Sequence, residues 1–304
     1  MNTFCNPLDL SYCFQNKGVG DISCREAADP SLVLFEGNYC LFASKSCGYW
    51  WSPDLQEWIF VKSKILPVDD YAPDVRVING YIYFTASGYG RDNPVFRSKN
   101  PVEDEWELVA EAFPYWDPNM FQDEDGRVYM YWGCSDKDPI CGAEVDIETM
   151  KPIGEPTALF GQNHDRFGWE RKSEDNRKSV APHIEGPWMT KHKGRYYLQY
   201  AGPGTEFNIY ADGVYEGDSP LGPFTFAENN PLSFKPGGFM NGAGHGSTFH
   251  DNFGNLWHIS TMSISIRHMF ERRLGLWPAG FDADGVMYCN TRFGDYPTQV
   301  PTGP

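Results

Sequence analysis

Five times along the chain a turn glycine is followed by a short aromatic-rich strand: Gly37-Asn38-Tyr39-Cys40-Leu41-Phe42, Gly80-Tyr81-Ile82-Tyr83-Phe84, Gly126-Arg127-Val128-Tyr129-Met130-Tyr131, Gly194-Arg195-Tyr196-Tyr197-Leu198 and Gly254-Asn255-Leu256-Trp257-His258. Upstream of each glycine a polar residue opens another strand: Asp29, Asp74, Asp117, Glu185 and His245. A single hairpin of this kind cannot bury its own apolar face, whereas radial stacking of several copies builds a continuous core and gathers their leading residues at one axis. The repeat therefore predicts an all-β, five-bladed β-propeller with its active site at the central axis.

Length alone leaves one or two domains open at 304 residues, because propellers often exceed the usual domain size. The repeats choose one domain over residues 1–296, followed by a Pro-rich tail, 297–304, that reads as the start of a linker to a further domain. No stretch carries sustained helical periodicity with caps. Val75–Ile78, Tyr81–Thr85, Val128–Trp132 and Tyr196–Tyr200 are instead rich in β-branched and aromatic residues between turn signals. Serine-led turns ending in an aromatic residue, Ser52 to Trp58, Ser98 to Trp106 and Ser219 to Phe224, mark the outer strands of blades one, two and four. Val145 to Gly154 plays that part in blade three. The interval from Gly126 to Gly194 is the longest and carries an insertion, Gly161–Ala181, which reads as a specificity loop. Residues 272–285 predict one more hairpin.

A formal charge of −16 disfavours nucleic acid and anionic membranes as partners and favours a neutral or cationic ligand. No apolar run approaches the ~20 residues of a membrane span. The start, Met1-Asn2-Thr3-Phe4-Cys5, lacks a basic segment followed by an apolar one. The expected location is periplasmic or secreted, with a signal already removed, or else cytoplasmic; the expected state is a monomer. The eight cysteines show no zinc-type spacing and read mostly as core or loop thiols, with their disulfide state open.

Three carboxylates on three repeats carry the chemistry: Asp29 in Ala28-Asp29-Pro30-Ser31, Asp117 in Trp116-Asp117-Pro118-Asn119, and Glu185 in Ile184-Glu185-Gly186-Pro187. Each could simply cap a turn, since Asp-Pro often begins one. Three at corresponding positions of a propeller would converge on one funnel. That suits glycoside hydrolysis, in which one acid protonates the departing oxygen while a carboxylate activates water on the opposite face. A third acid, Asp117, would raise the affinity of the donor for its proton.

On these residues the chain resembles glycoside hydrolase family 43, five-bladed propellers that cleave arabinose-, xylose- or galactose-containing glycans with inversion. The motifs are Ala28-Asp29-Pro30-Ser31, Ala72-Pro73-Asp74-Val75, Asp117-Pro118-Asn119-Met120-Phe121 through Gly126, Glu185-Gly186-Pro187-Trp188 with Tyr196-Tyr197-Leu198, and Ser219-Pro220-Leu221-Gly222-Pro223-Phe224, over roughly residues 24–288. The resemblance implies Asp29 as general base, Asp117 as pKa modulator and orienter of the acid, and Glu185 as general acid. It implies no cofactor for catalysis. His245 would hold a central water or a calcium hydration shell, or else be a satisfied core histidine. The family's active-site arginine corresponds to Arg272, with the Arg272-Arg273 doublet leaving the register open.

Asp74, in the second repeat, reads as a substrate contact or a strand tie. Trp51, Trp116, Phe121 and Trp169 are candidates to stack on a sugar, alongside Trp50, although most of ten tryptophans in a propeller pack between blades. Glu170, Glu174 and Glu206 lie in loops, behind Glu185 as candidate acids. The expected substrate is a plant-type hemicellulose, arabinan or galactan side chain. Two rivals stand: a retaining fructan-active propeller, whose Asn-Asp-Pro-Asn-Gly nucleophile motif is absent here, and a carbohydrate-binding propeller without catalysis.

Overall fold

The computed structural model describes residues 3–17, 22–67, 71–88, 91–265, 269–292 and 294–300. Each blade is an antiparallel sheet whose four main strands are consecutive. Blade 1 runs Ala28–Phe35, Asn38–Ser44, Tyr49–Ser52 and Ile59–Val61, and blade 2 runs Tyr71–Ile78, Tyr81–Ser87, Pro94–Asn100 and Glu105–Glu111. Blade 3 comprises Asn119–Gln122, Val128–Trp132, Ile140–Val145 and Thr157–Phe160. Blade 4 has Ile184–His192, Arg195–Gly202, Ala211–Gly217 and Phe224–Phe226, with the short strand Cys134–Ser135 added beside its first. Blade 5 has Asn241–His250, Leu256–Ser263, Arg272–Phe281 and Met287–Cys289. The only helical pieces among the described residues are two 3-10 turns, Pro101–Glu103 and Gly168–Glu170. No helix there is long and apolar enough to cross a membrane.

The five marker glycines sit in the turns between first and second strands, at φ of 81°, 71°, 89°, 82° and 83° in chain order, where a side chain is strained. Alternating residues of adjacent blades then interlock. Phe42, Tyr49, Phe84 and Trp106 form one aromatic cluster between blades 1 and 2, with Phe42 stacked on Tyr49 at 4.4 Å. Blades 5 and 1 are joined by Leu32, Leu41, Trp50, Ile259, Leu274 and Leu276, and the N-terminal segment adds Phe4, Leu8 and Leu10 to that seam.

The feature that builds the site recurs in every inner strand. Ser31 pairs with Phe42 and Ala28 with Ser44, three residues against two, so the strand carries a one-residue bulge. The same slip occurs at Tyr71/Asp74, Glu185/Trp188 and Gly244/Ser247. In blade 3, Asn119 pairs with Tyr131, and the Gly133 N–H bonds the Trp116 carbonyl. Within each bulge one residue takes a left-handed backbone: Asp29 (φ 51°), Ala72 (47°), Asp117 (49°), Gly186 (59°) and His245 (47°). A bulge re-aims a side chain and ends the regular alternation.

That register corrects two sequence expectations. The blade 2 counterpart of Asp29 and Asp117 is Ala72, not Asp74, because Pro73 aligns with Pro30 and Pro118. Glu185 stands one residue before its blade's left-handed position, which Gly186 fills. Of the tail expected from 297 onward, Thr298–Gln299 pairs with Thr3–Phe4, and residues 301–304 lie outside the described residues. So do residues 89–90 of the loop after Gly88.

Candidate active site

The bulge N–H groups are caught by the neighbouring blade. Asp29 N–H donates to Thr261 Oγ1 of blade 5 (2.7 Å), Ala72 N–H to Ser44 Oγ of blade 1 (2.7 Å), and Asp117 N–H to Ser87 Oγ of blade 2 (2.7 Å). The Gly186 N–H donates to the Asp117 carboxylate, and Gly246 N–H to Asp212 Oδ2 at 3.0 Å. Each strained turn is thus fixed by the adjacent blade, as a left-handed residue requires if it is to persist.

This framework brings Asp29, Asp117, Glu185, His245 and Arg272 together. His245 Nδ1 lies 3.4 Å from Asp29 Oδ1 and 3.8 Å from Asp117 Oδ2. Arg272 Nη1 lies 3.7 Å from Asp29 Oδ1, and its Nη2 pairs with the fully buried Glu26. Arg272 Nη1 also donates to Thr205 Oγ1 at 3.3 Å. Arg273 instead braces the chain through the Arg25 and Arg272 carbonyls and Glu271, so the doublet resolves with Arg272 facing the site.

The carboxyl groups are tuned apart. Burial alone would push Asp29 up, but His245, Arg272 and the hydroxyls of Ser44 and Thr261 outweigh it and hold Asp29 below the ordinary carboxylate range. Ser44 Oγ–H donates to Asp29 Oδ2 at 2.6 Å. Asp117 moves the other way, pushed up to about 7 by burial, with Glu185 and Asp29 adding repulsion that His245 only partly offsets. His245 is drawn up despite burial, because Asp29, Asp117, Glu185 and Asp212 favour its protonated form. Near neutral pH the hollow therefore offers one firmly ionised carboxylate, Asp29, beside a second carboxyl, Asp117, that is partly protonated.

As a holder of a calcium hydration shell, His245 fits poorly. Its Nδ1 faces two carboxylates that favour the protonated donor form, and a Cβ on Gly186 would sit 2.6 Å from its ring. The one described donor set close enough for a metal, Asp117, Cys134 and Glu185, has its atoms within 4.8 Å of one another, but a thiol does not suit a hard cation.

Several sequence candidates lie elsewhere. Asp74 is buried and spends both oxygens on blade 3, accepting from Asn119 Nδ2 (2.9 Å) and the Met120 N–H (2.7 Å). Trp51 packs at the seam of blades 1 and 2. Phe121 packs edge-on against Tyr196 and lines a cavity of about 440 Å³ at the opposite end of the axis. Trp169 lies against Tyr200 and the backbone of Gly213. Trp116, adjoining Asp117, is 38% exposed and remains the aromatic candidate for a sugar face. Glu170 is fully buried, accepting from Tyr200 Oη (2.6 Å) and the Asn163 N–H (2.6 Å), and anchors the insertion to blade 4.

Other site neighbours escaped the sequence reading. Ser44 and Ser87 had a signal, the Ala-Ser pair that closes the second strands of blades 1 and 2. Cys134, Tyr210, Glu26 and Thr205 had none, because each reaches the site from outside the repeat.

The family profile described as Glycosyl hydrolases family 43 matches residues 22–287. Among curated proteins, a beta-xylosidase of Xylanibacter ruminicola is 26% identical, with 72% of this chain and 71% of that protein covered. A beta-D-galactofuranosidase of Aspergillus niger is also 26% identical, covering 73% and 69%. Among solved structures, a thermostable family-43 glycoside hydrolase superposes with a TM-score of 0.79 at 21% identity, covering 99% of this chain and all (100%) of that one. With a profile match spanning all five blades and a fold shared end to end, this chain belongs to family 43 of the glycosyl hydrolases.

Proposed function

We propose that the chain hydrolyses a glycosidic bond to a xylose, arabinose or galactose unit of a plant-type polysaccharide or oligosaccharide, by a single inverting displacement. The observation that carries this reading is the meeting of Asp29, Asp117 and Glu185 around His245 and Arg272 at one end of the axis. The names of the relatives, a xylosidase, a galactofuranosidase and a xylosidase/arabinosidase of Bacteroides ovatus, supply the sugar class.

Asp29, ionised and steered by Ser44 and Arg272, takes a proton from water as its oxygen attacks the anomeric carbon. Glu185 gives its proton to the departing oxygen, which leaves with the electron pair of the broken bond. Asp117 accepts the Gly186 N–H and so holds the backbone beside Glu185. His245 balances the charge of Asp29 and Asp117. The chain acts as a monomer in this reading.

The test is a panel of 4-nitrophenyl β-D-xylopyranoside, α-L-arabinofuranoside and β-D-galactofuranoside, with defined xylan, arabinan and galactan oligosaccharides and the product anomer followed by NMR. Asp29→Ala and Glu185→Gln should each lower turnover of the oligosaccharides by on the order of 10²–10⁴ fold with the urea midpoint retained. Near-normal turnover by either variant, or a retained anomer, would refute the assignment.

A further inference from the structure

Glu185 is gripped at both oxygens by side chains that are chemically unequal. Tyr210, buried immediately before the third strand of blade 4, donates its phenol O–H to Oε1 in a short contact. Its ring lies flat against the backbone of blade 5, where a Cβ on Gly244 would come within 2.7 Å of the ring carbons. The glycine lets the ring approach, and the ring then has no room to swing. On the other side Cys134 pairs directly opposite Glu185 in the Cys134–Ser135 strand, and its thiol donates to Oε2 across 3.2 Å.

A phenol is a strong donor and a thiol a weak donor and weak acceptor. Burial, with Glu185 and Asp29 nearby, keeps Tyr210 in its neutral, donating form. Oε1 therefore always faces an O–H and is a poor place for the carboxyl to carry a hydrogen of its own. Oε2 faces the Cys134 thiol, a donor weak enough for a carboxyl hydrogen on that oxygen to displace.

We propose that Tyr210 is a positioning residue for the reaction: by occupying Oε1 it fixes the plane of the Glu185 carboxyl and leaves Oε2 as the oxygen that delivers the proton. The proposal rests on Glu185 being the acid, as argued above. In the step, the Oε2–H bond breaks as an O–H bond forms to the leaving oxygen. That oxygen departs with the electrons of its bond to the anomeric carbon. Water supplies the new substituent on that carbon and passes its proton to Asp29. Glu185 is left as a carboxylate, and the Tyr210 hydrogen bond strengthens as that charge develops.

Leaving groups of different basicity separate this role from structural damage. A 2,4-dinitrophenolate departs without help, whereas an unsubstituted phenol or a sugar hydroxyl needs the proton. Tyr210→Phe removes one atom and keeps the ring against Gly244. It should change kcat/KM for the 2,4-dinitrophenyl glycoside by less than about threefold but lower it by on the order of tenfold or more for the phenyl glycoside and the disaccharide, mostly in kcat. A variant that merely loosened the site would lose both classes alike.

The comparison includes wild type and Glu185→Gln on the same substrates, with urea midpoints to establish folding. If wild type cleaves none of them, the functional reading and this proposal fall together. If Glu185→Gln loses activated and unactivated substrates equally, the acid assignment fails and takes Tyr210 with it. If Glu185→Gln shows the selective loss and Tyr210→Phe does not, the role of Tyr210 alone is overturned.

Discussion

Gly186 is the residue on which the geometry of the site turns most tightly. It is the left-handed member of the blade 4 bulge, at φ 59°, and a Cβ there would lie 2.6–2.7 Å from three atoms of the His245 ring. That ring is held between Asp29 and Asp117 and cannot retreat without disturbing both. Gly186→Ala should therefore cost on the order of 100-fold in kcat, the scale of an ångström's misplacement, with the blades still folded. Gly194, at φ 82° with nothing within 4 Å of its added Cβ, carries similar backbone strain without the clash. Gly194→Ala should lose about 1 kcal/mol of stability and keep its activity, and equal kinetic loss in the two variants would discredit the steric account. The same carboxyls set a pH profile. Asp29 is held below the ordinary range, so the acid limb of kcat/KM should lie at low pH, where Asp29 takes up a proton. Asp117 is pushed up to about 7 by burial, so an inflection of kcat/KM should fall in that region as its carboxyl ionises. Asp117→Asn removes that titrating group, so the inflection near 7 should disappear; an inflection that persists unchanged would assign it to another group.

At the scale of the strand, one bulge repeated five times does two jobs. In blades 1, 3 and 5 the left-handed residue itself, Asp29, Asp117 or His245, turns toward the hollow. In blade 2 the same position holds Ala72 and contributes no charge, while two residues on Asp74 works as a strut into blade 3. Its carboxyl is pushed up to about 6 by burial, more than Arg76 and its two donors pull it down. Because the folded value lies above the unfolded one, this stabilisation is complete below about pH 4 and is lost as pH rises through 6. Asp74→Ala leaves the Met120 N–H and the Asn119 amide unmet, a loss of about 1–3 kcal/mol. The gap from wild type in urea melts should be widest near pH 4 and narrower at pH 7, and a gap that widens with pH would contradict the burial argument. The strand pattern was open to sequence reading because the turn glycines and aromatic strands repeat. The bulge was not: Pro30, Pro73, Pro118 and Pro187 mark its place, but which neighbour turns inward depends on a one-residue slip in pairing. That slip decides between the two readings of Asp74, a substrate contact or a strand tie, in favour of the tie.

Across the whole molecule, the five-fold repeat made the architecture legible, and the three acids followed from it because the axis is where inner strands meet. Tyr210 and Cys134 could not be read the same way, since contact with Glu185 depends on how blades 3, 4 and 5 sit against one another. Closure of the ring was equally hidden. The four main strands of each blade are consecutive, and among the described residues no strand is exchanged between first and last, so the seam needs another fastening. The N-terminal segment provides it by lying along blade 5, whose last strand covers only Ala279–Phe281 of its neighbour. Asn6 Nδ2 donates to the Leu276 carbonyl (2.9 Å), Asn6 Oδ1 accepts the Leu276 N–H (2.9 Å), and the Leu8 N–H bonds the Leu274 carbonyl (2.9 Å). Leu8 and Leu10 then fill the gap against Leu32, Leu41 and Trp50 of blade 1. Asn6→Ala strands both backbone groups of the fully buried Leu276, at a cost of about 1–3 kcal/mol, with none of the catalytic groups touched. Its urea midpoint should fall at an unchanged slope while kcat at low temperature stays that of wild type. A midpoint equal to wild type would mean that the ring is closed by the apolar seam alone, and a lowered kcat would mean that the first and last blades move against each other when the fastening goes.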